Sequence, residues 1–309
     1  RRLKWENSLK IIKLTGNLHR KQFDLVNLSG RYDAVRFVLP DYKGKFDFRL
    51  ATELGSIGDF EASNFLKNLD DKLVFKKFCD ETGLKTLPWS SGSVREPGEY
   101  LFKPRVSAGS IGITIKKCEV NELIPSDYIA ESRLRDFQTY GIGYYAFEGS
   151  IRNKVTWKRI KTFPRNGGPS SVAEVIEYPR LDRLGDMFLE KVGPSDIHGF
   201  FMLEFIFSDD ELFFLEINPR VWGSIALLEL SAGDFISNFV WDNLRQKVHH
   251  SGYLGEKVEV FVNPLFEPLM LFKRRRKFYS GFSYGGLRGF RYVFSMLNFR
   301  SFKKLLSKV

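Results

Sequence analysis

The stretch from Phe200 to Ser224 constrains this chain more than any other. It reads FFMLEFIFSDDELFFLEINPRVWGS. Two apolar runs flank the acidic turn Ser208-Asp209-Asp210, which is the pattern of an antiparallel hairpin. Side chains alternate faces along a strand, so Glu216 and Asn218 share one face. A three-residue loop over Ser208 to Asp210 pairs Phe207 with Glu211 and sets Glu204 opposite Phe214. Glu204 then points the same way as Glu216 and Asn218, whereas a two-residue or four-residue loop would turn it to the other face. On the three-residue register, two carboxylates and an amide oxygen converge beside Arg220, an oxygen set suited to a hard divalent cation. Diagonal cross-strand neighbours lie roughly 7–8 Å apart, close enough to clamp phosphates bridged by metal. The plain alternative is a pair of solvent-facing acids on a half-exposed hairpin.

The second anchor is Tyr100 to Ile115, YLFKPRVSAGSIGITI. Lys103 stands in a short apolar strand. Behind it runs a loop of small residues containing Ser107, Ala108, Gly109, Ser110 and Gly112, and then a returning strand. Such a tip exposes backbone N–H groups and lets the chain approach phosphate oxygens closely. It is not a Walker loop, because the lysine precedes the glycines. A plain hairpin with a Gly-rich turn is the competing reading.

Around these anchors the pattern predicts a helix over 60–83, capped by Asp59 or Ser63 and stopped by Gly83, with Leu69, Leu73, Phe75 and Phe78 on its buried face. Lys72 lies within it, in Asp70-Asp71-Lys72. Two strand-like runs over 128–147 suit a hinge beside an adenine, with Glu131 or Asp136 near the sugar; the residues do not choose between these acids. Within the stretch from Val155 to Ser171, Lys158 and Arg159 lie mid-strand, where cations are costly unless they meet anions. The loop from Arg165 to Ser171 is rich in donors. A helix over 181–193 packs under the hairpin, and another opens at Ile225. Near the start, residues 33–40 read as a strand ending at Pro40, within a reduced leading domain over 1–59.

At 309 residues the chain can bury a large core, and its 43% apolar content with 30 Phe excludes disorder. The net charge of +11 suits anionic ligands. Two distant cysteines, Cys79 and Cys118, form no disulfide framework or zinc pattern. No run of about 18 apolar residues occurs and no signal peptide opens the chain, which sets the expectation of a cytoplasmic protein. The opening Arg1, in place of a Met, fits either a trimmed chain or a segment of something longer. From Lys273 to Lys277 a basic run precedes an amphipathic helix over 291–306. That segment fits an anionic membrane surface or, equally, docking on the body or a partner. No nucleic-acid motif appears.

Four pieces stand in order: Lys72 before Gly-Leu and a proline, Phe-Lys-Pro with the Ser/Gly loop, the Arg159 strand with Gly-Gly-Pro-Ser-Ser, and Glu204 followed by Glu-Ile-Asn-Pro-Arg-Val-Trp-Gly-Ser. Together they resemble the ATP-grasp superfamily, of the carbamoyl-phosphate-synthase-like carboxylate–amine ligase type, over about residues 60 to 245. The resemblance implies an α+β (α/β) fold in which two α+β subdomains grip ATP, over 60–130 and 131–250, followed by a basic extension over 251–309. It implies that Lys72 and Lys103 hold ATP phosphates while Ser107, Ala108, Gly109, Ser110 and Gly112 close over them. Glu204, Glu216 and Asn218 would bind two Mg²⁺ ions, with Mn²⁺ as a substitute. Arg220 and Arg159, with Lys103, would stabilise the transferring phosphoryl group. The partners implied are a small carboxylate and an amine, and a homo-oligomer is compatible with them. The short leading domain and a hinge lacking Glu-Tyr-Ile-x-Gly depart from the family pattern. The alternative functions are a non-catalytic nucleotide-binding protein and a membrane-surface adaptor acting through residues 273–309.

Overall fold

The computed structural model describes residues 62–107, 110, 112–162, 170–220, 222, 238 and 242, and the strand residues 24–27, 35–38, 48–50, 260–262 and 278–280. Ala108, Gly109, most of the Arg165 loop, the helix expected at Ile225 and nearly all of the basic tail lie outside them. The strands are β1 (Asp24–Asn27), β2 (Val35–Val38), β3 (Phe48–Leu50), β4 (Trp89–Ser90), β5 (Gly98–Pro104), β6 (Thr114–Cys118), β7 (Tyr128–Ser132), β8 (Gln138–Phe147), β9 (Ser150–Thr162), β10 (Ser170–Val175), β11 (Gly199–Ser208), β12 (Glu211–Asn218), β13 (Val260–Val262) and β14 (Phe278–Ser280). The helices are α1 (Asn64–Asn68), α2 (Lys72–Thr82) and α3 (Pro179–Val192). This is an α+β chain, and β2 falls within the strand expected at 33–40.

Internal contacts divide the chain into two units: one of Arg1–Phe60, Arg152–Ile176 and Val221–Val309, the other of Glu61–Ile151 and Glu177–Arg220. In the first unit β1, β2 and β3 form an antiparallel sheet. There β10 also lies between β9 and β13, antiparallel to both, and Trp157 stacks on Trp222 at 5.8 Å.

The second unit carries a sheet ordered β4-β7-β5-β6 and the antiparallel trio β12-β11-β8. One face of the trio is apolar. Leu203, Phe205, Ile142 and Ile217 meet Phe75 of α2 and Leu181 and Phe188 of α3, so the helix expected under the hairpin is there. Each such buried side chain contributes roughly 1.5–3 kcal/mol. Tyr144 stacks on its cross-strand partner Phe201 at 4.9 Å, and Tyr145 on Phe200 at 4.8 Å. Pro179 suits the first turn of α3, where no N–H partner is needed. Gly185 brings α3 against β8: a Cβ there would lie 2.2 Å from the Tyr144 hydroxyl.

Two local expectations are corrected. The single helix over 60–83 is broken into α1 and α2, because Asp71 caps a new start by accepting from the Leu73 N–H. Ser63 caps α1 and Gly83, at φ 74°, ends α2. Leu69 and Phe75 are buried as expected and Phe78 packs against the same core, while Lys72, Lys76 and Cys79 of α2 are buried with them and Leu73 is only half-buried.

The hairpin register is the second correction. Ser208 pairs with Glu211, so the turn has two residues, Asp209 and Asp210, both left-handed at φ 49° and 60°. A two-residue turn alone would set Glu204 opposite Leu215. Instead Phe205 pairs with Phe214 and Glu204 with Glu216, which leaves Leu215 as an extra residue in a β-bulge. The bulge restores the phase that the shorter turn removes, and the two acids stand directly opposite each other.

Candidate functional site

Glu204, Glu216 and Asn218 rise from the face of the trio away from the apolar core. Directly opposed residues have Cβ atoms about 4.5–5.5 Å apart, and like charges in that relation are destabilising unless a cation lies nearby. Beside Glu204 and Met202, β8 contributes Gly141 and Gly143, so no side chain rises from that strand next to the acids. Asn218 links the row. Its amide nitrogen donates to Glu216 Oε1 at 3.3 Å, and its oxygen accepts from Arg220 Nη2 at 2.5 Å. Arg220 Nε reaches to 4.0 Å from Asp70. Burial lowers the Arg220 guanidinium to about 9, which leaves it cationic at neutral pH. Burial raises the Asp70 carboxyl; Lys72 opposes that shift and Glu216 adds to it.

Lys72 joins the hairpin to the Ser/Gly loop. Its ammonium lies 3.7 Å from Glu216 Oε2 and donates to the Ser107 carbonyl at 3.3 Å and the Ser107 hydroxyl at 3.4 Å. The Lys72 N–H donates to the Arg105 carbonyl at 2.9 Å, while the Arg105 guanidinium grips Asp71 through Nε and Nη2. Burial opposes ionisation of Asp71, but Arg105 and the Leu73 N–H hold its pKa below the usual value. The start of α2 is thus fastened to the chain just before the loop. On the return limb Ser110 adopts φ 61° and Gly112 φ 79°, and a Cβ on Gly112 would fall 2.8 Å from the Pro104 ring.

Lys103 and Glu131 face each other across β5 and β7. Lys103 Nζ donates to Glu131 Oε1 at 2.7 Å. On the other side Lys76 Nζ lies 2.8 Å from Oε2, a charge contact set off the hydrogen-bond line. All three side chains are buried. Burial alone would raise the Glu131 pKa, yet Lys103 and then Lys76 overcome it and hold the carboxyl near 2. Asp136 sits in the exposed segment between β7 and β8, where its carbonyl accepts from the Ser208 hydroxyl at 3.0 Å. Arg159 belongs to the other unit, where its Nε donates to Ser170 Oγ at 2.9 Å.

Among the described residues, no group of three His, Cys, Asp or Glu gathers as a metal cage. Two opposed carboxylates with an amide oxygen that keeps a second lone pair do fit magnesium, which commonly takes one or two carboxylates and fills its remaining positions with phosphate oxygens and water. Sequence reasoning missed Asp70, Asp71, Lys76 and Arg105 as members of this region. A signal existed for Lys76: it follows Lys72 by four on a helix whose buried stripe also holds Phe75 and Cys79. Lysines at core positions point to a buried anion.

No family model matches the chain, and no curated protein matches its sequence. Among solved structures it is similar to the biotin carboxylase domain of 2-oxoglutarate carboxylase from Hydrogenobacter thermophilus, solved with MgADP and bicarbonate, at 16% identity and TM-score 0.46 over 60% of this chain and 47% of that one. It is also similar to a protein assigned to the ATP-grasp superfamily from Archaeoglobus fulgidus, at 15% identity and TM-score 0.41 over 55% and 52% of the two chains. A third is N5-carboxyaminoimidazole synthetase from Staphylococcus aureus with ADP, at 18% identity and TM-score 0.39 over 50% and 46%. The chain thus spans about half the length of these structures.

Proposed function

We propose that the protein is an ATP-dependent, ADP-forming ligase of the ATP-grasp type that joins a carboxylate to an amine. The observation that carries this reading is the direct opposition of Glu204 and Glu216 beside Lys72, Asn218 and Arg220. Opposed acids with cations at their flank suit a bound divalent ion and a polyphosphate better than an ordinary surface hairpin. Glu204, Glu216 and Asn218 would hold Mg²⁺, which would supply charge neutralisation to the phosphates. Lys72, held by Ser107 and close to Glu216, suits a phosphate oxygen at the base of the loop. Lys103 presents its ammonium at the edge of the buried Glu131 pair. Arg220, oriented by Asn218, suits the charge on the phosphoryl group as it moves.

In this scheme a substrate carboxylate oxygen attacks the γ-phosphorus and the bond to ADP breaks, leaving an acyl phosphate. The amine then attacks the acyl carbon, loses a proton and expels phosphate. Little covalent chemistry falls to the protein, so positioning and charge suffice. Purified protein with ATP, Mg²⁺ and pools of amino acids should release ADP, and Glu216→Ala should cut that release by at least about a hundredfold with the fold intact. Unchanged turnover in Glu216→Ala would refute the metal assignment.

A further inference from the structure

The resemblance gives Lys76 no role, although the residue stands in the helix between Lys72 and Gly83, and it is among the most buried charged residues described, with 1% of its side chain exposed. Its ammonium contacts Glu131 Oε2 at 2.8 Å and donates to the Phe214 carbonyl at 3.4 Å. That carbonyl belongs to the residue just before the Leu215 bulge, and the Phe214 N–H donates to the Lys85 carbonyl at 2.8 Å. Lys76 is therefore fixed from two elements, β7 and β12.

The charge count gives it a task. Glu131 lies between two ammoniums, so the trio carries one positive charge in excess. Excess charge in a dry site is costly unless an anion meets it. Of the three, Lys103 is the most exposed, at 9% of its side chain against 1% for each of the others, so the excess is presented at Lys103. Without Lys76, Glu131 and Lys103 would form a neutral pair and the attraction for an anion would be largely cancelled.

We propose that Lys76 is a positioning residue for the nucleotide site: by holding the far oxygen of Glu131, it leaves Lys103 with a net positive charge to offer the phosphates of a nucleotide. This rests on the nucleotide-binding reading above and deepens it. The test is calorimetric titration of the full chain with MgADP and with adenosine, read as the ratio of the two affinities. That ratio isolates the phosphate contribution from any contact with the base. Lys76→Met should lower it roughly tenfold, the scale of one unit charge several ångströms away at a protein's effective dielectric. Lys76→Met combined with Glu131→Gln restores the single positive charge and should return the ratio to within about threefold of the parent.

An unchanged ratio in Lys76→Met, equal weakening of both ligands, or a double variant that fails to recover would each overturn the proposal. A purely structural Lys76 would weaken both ligands alike. Should Lys76→Met fail to fold by circular dichroism, the double variant and Glu131→Gln decide: a ratio that falls in Glu131→Gln overturns the proposal. If the parent protein binds no MgADP, the nucleotide reading itself fails, which is a different result from a parent that binds and a Lys76→Met that binds equally well.

Discussion

The charges around Glu131 and those at the end of the β11–β12 hairpin lie in one unit but are balanced in opposite ways. Around Glu131, two lysines enclose one carboxylate; contacts are 2.7 and 2.8 Å and exposure is nearly nil. At the hairpin end, Glu204, Glu216 and Asp70 outnumber Lys72 and Arg220, and the ion pairs are loose, at 3.7 and 4.0 Å. Glu216 and Asp70 keep 27% and 33% of their side chains exposed. The carboxyl groups respond accordingly: Glu131 is held near 2, while Asp70 is raised. The first cluster is complete without a ligand apart from its surplus positive charge. The second sets two acids directly opposite each other and leaves Glu216 and Asp70 partly exposed. Stability and chemistry should therefore separate between them.

Three measurements can break or sharpen that contrast. The largest effect is expected from Glu131→Leu, which leaves two buried ammoniums without their anion and should cost about 3–5 kcal/mol in urea unfolding. A loss below about 1 kcal/mol, the level of a surface pair, would erase the distinction. The next is acid. Because the folded pKa of Glu131 lies below its ordinary 4.5, its stabilisation is fully present above about 4.5 and is lost as pH falls toward 2. The stability gap between the parent and Glu131→Gln should shrink over that window and stay flat above it. A gap that widens on acidification would reverse the assigned sign. The smallest effect is expected at the hairpin, where Glu216→Gln should move the unfolding free energy by less than about 1 kcal/mol, since a loose, partly exposed pair is lost together with an acid–acid repulsion. A cost as large as that of Glu131→Leu would make the hairpin acids structural.

Much of the hairpin site could be read from residue types alone. Period-two alternation placed Glu216 and Asn218 together, and the apolar runs around Asp209 and Asp210 announced the turn. The position of Glu204 followed from a three-residue loop that does not form; the bulge at Leu215 achieves the same phase. A bulge has no reliable sequence signature when the extra residue is an ordinary leucine, because only the partner strand reveals the mismatch. The stripe of α2 was misjudged for a related reason. Hydrophobicity favoured Leu73 and Phe78, whereas Lys72 and Lys76 are the residues drawn inward, and the anions they meet, Glu216 and Glu131, are each more than fifty residues away in the chain. Pairings over such distances are tertiary facts. Arg105 and Asp71 are another case, joined by a fork of hydrogen bonds that neither local stretch announces.

The extra leucine has a consequence for how this hairpin can change. Orientation along a regular strand has parity, and a bulge is the irregularity that resets it. Because Leu215 is the unpaired extra residue, its deletion would close the bulge into a regular ladder that keeps Glu216 opposite Glu204 and Asn218 opposite Met202. Position 215 can therefore take many side chains, and its loss would straighten the strand without carrying the acids to the oily side.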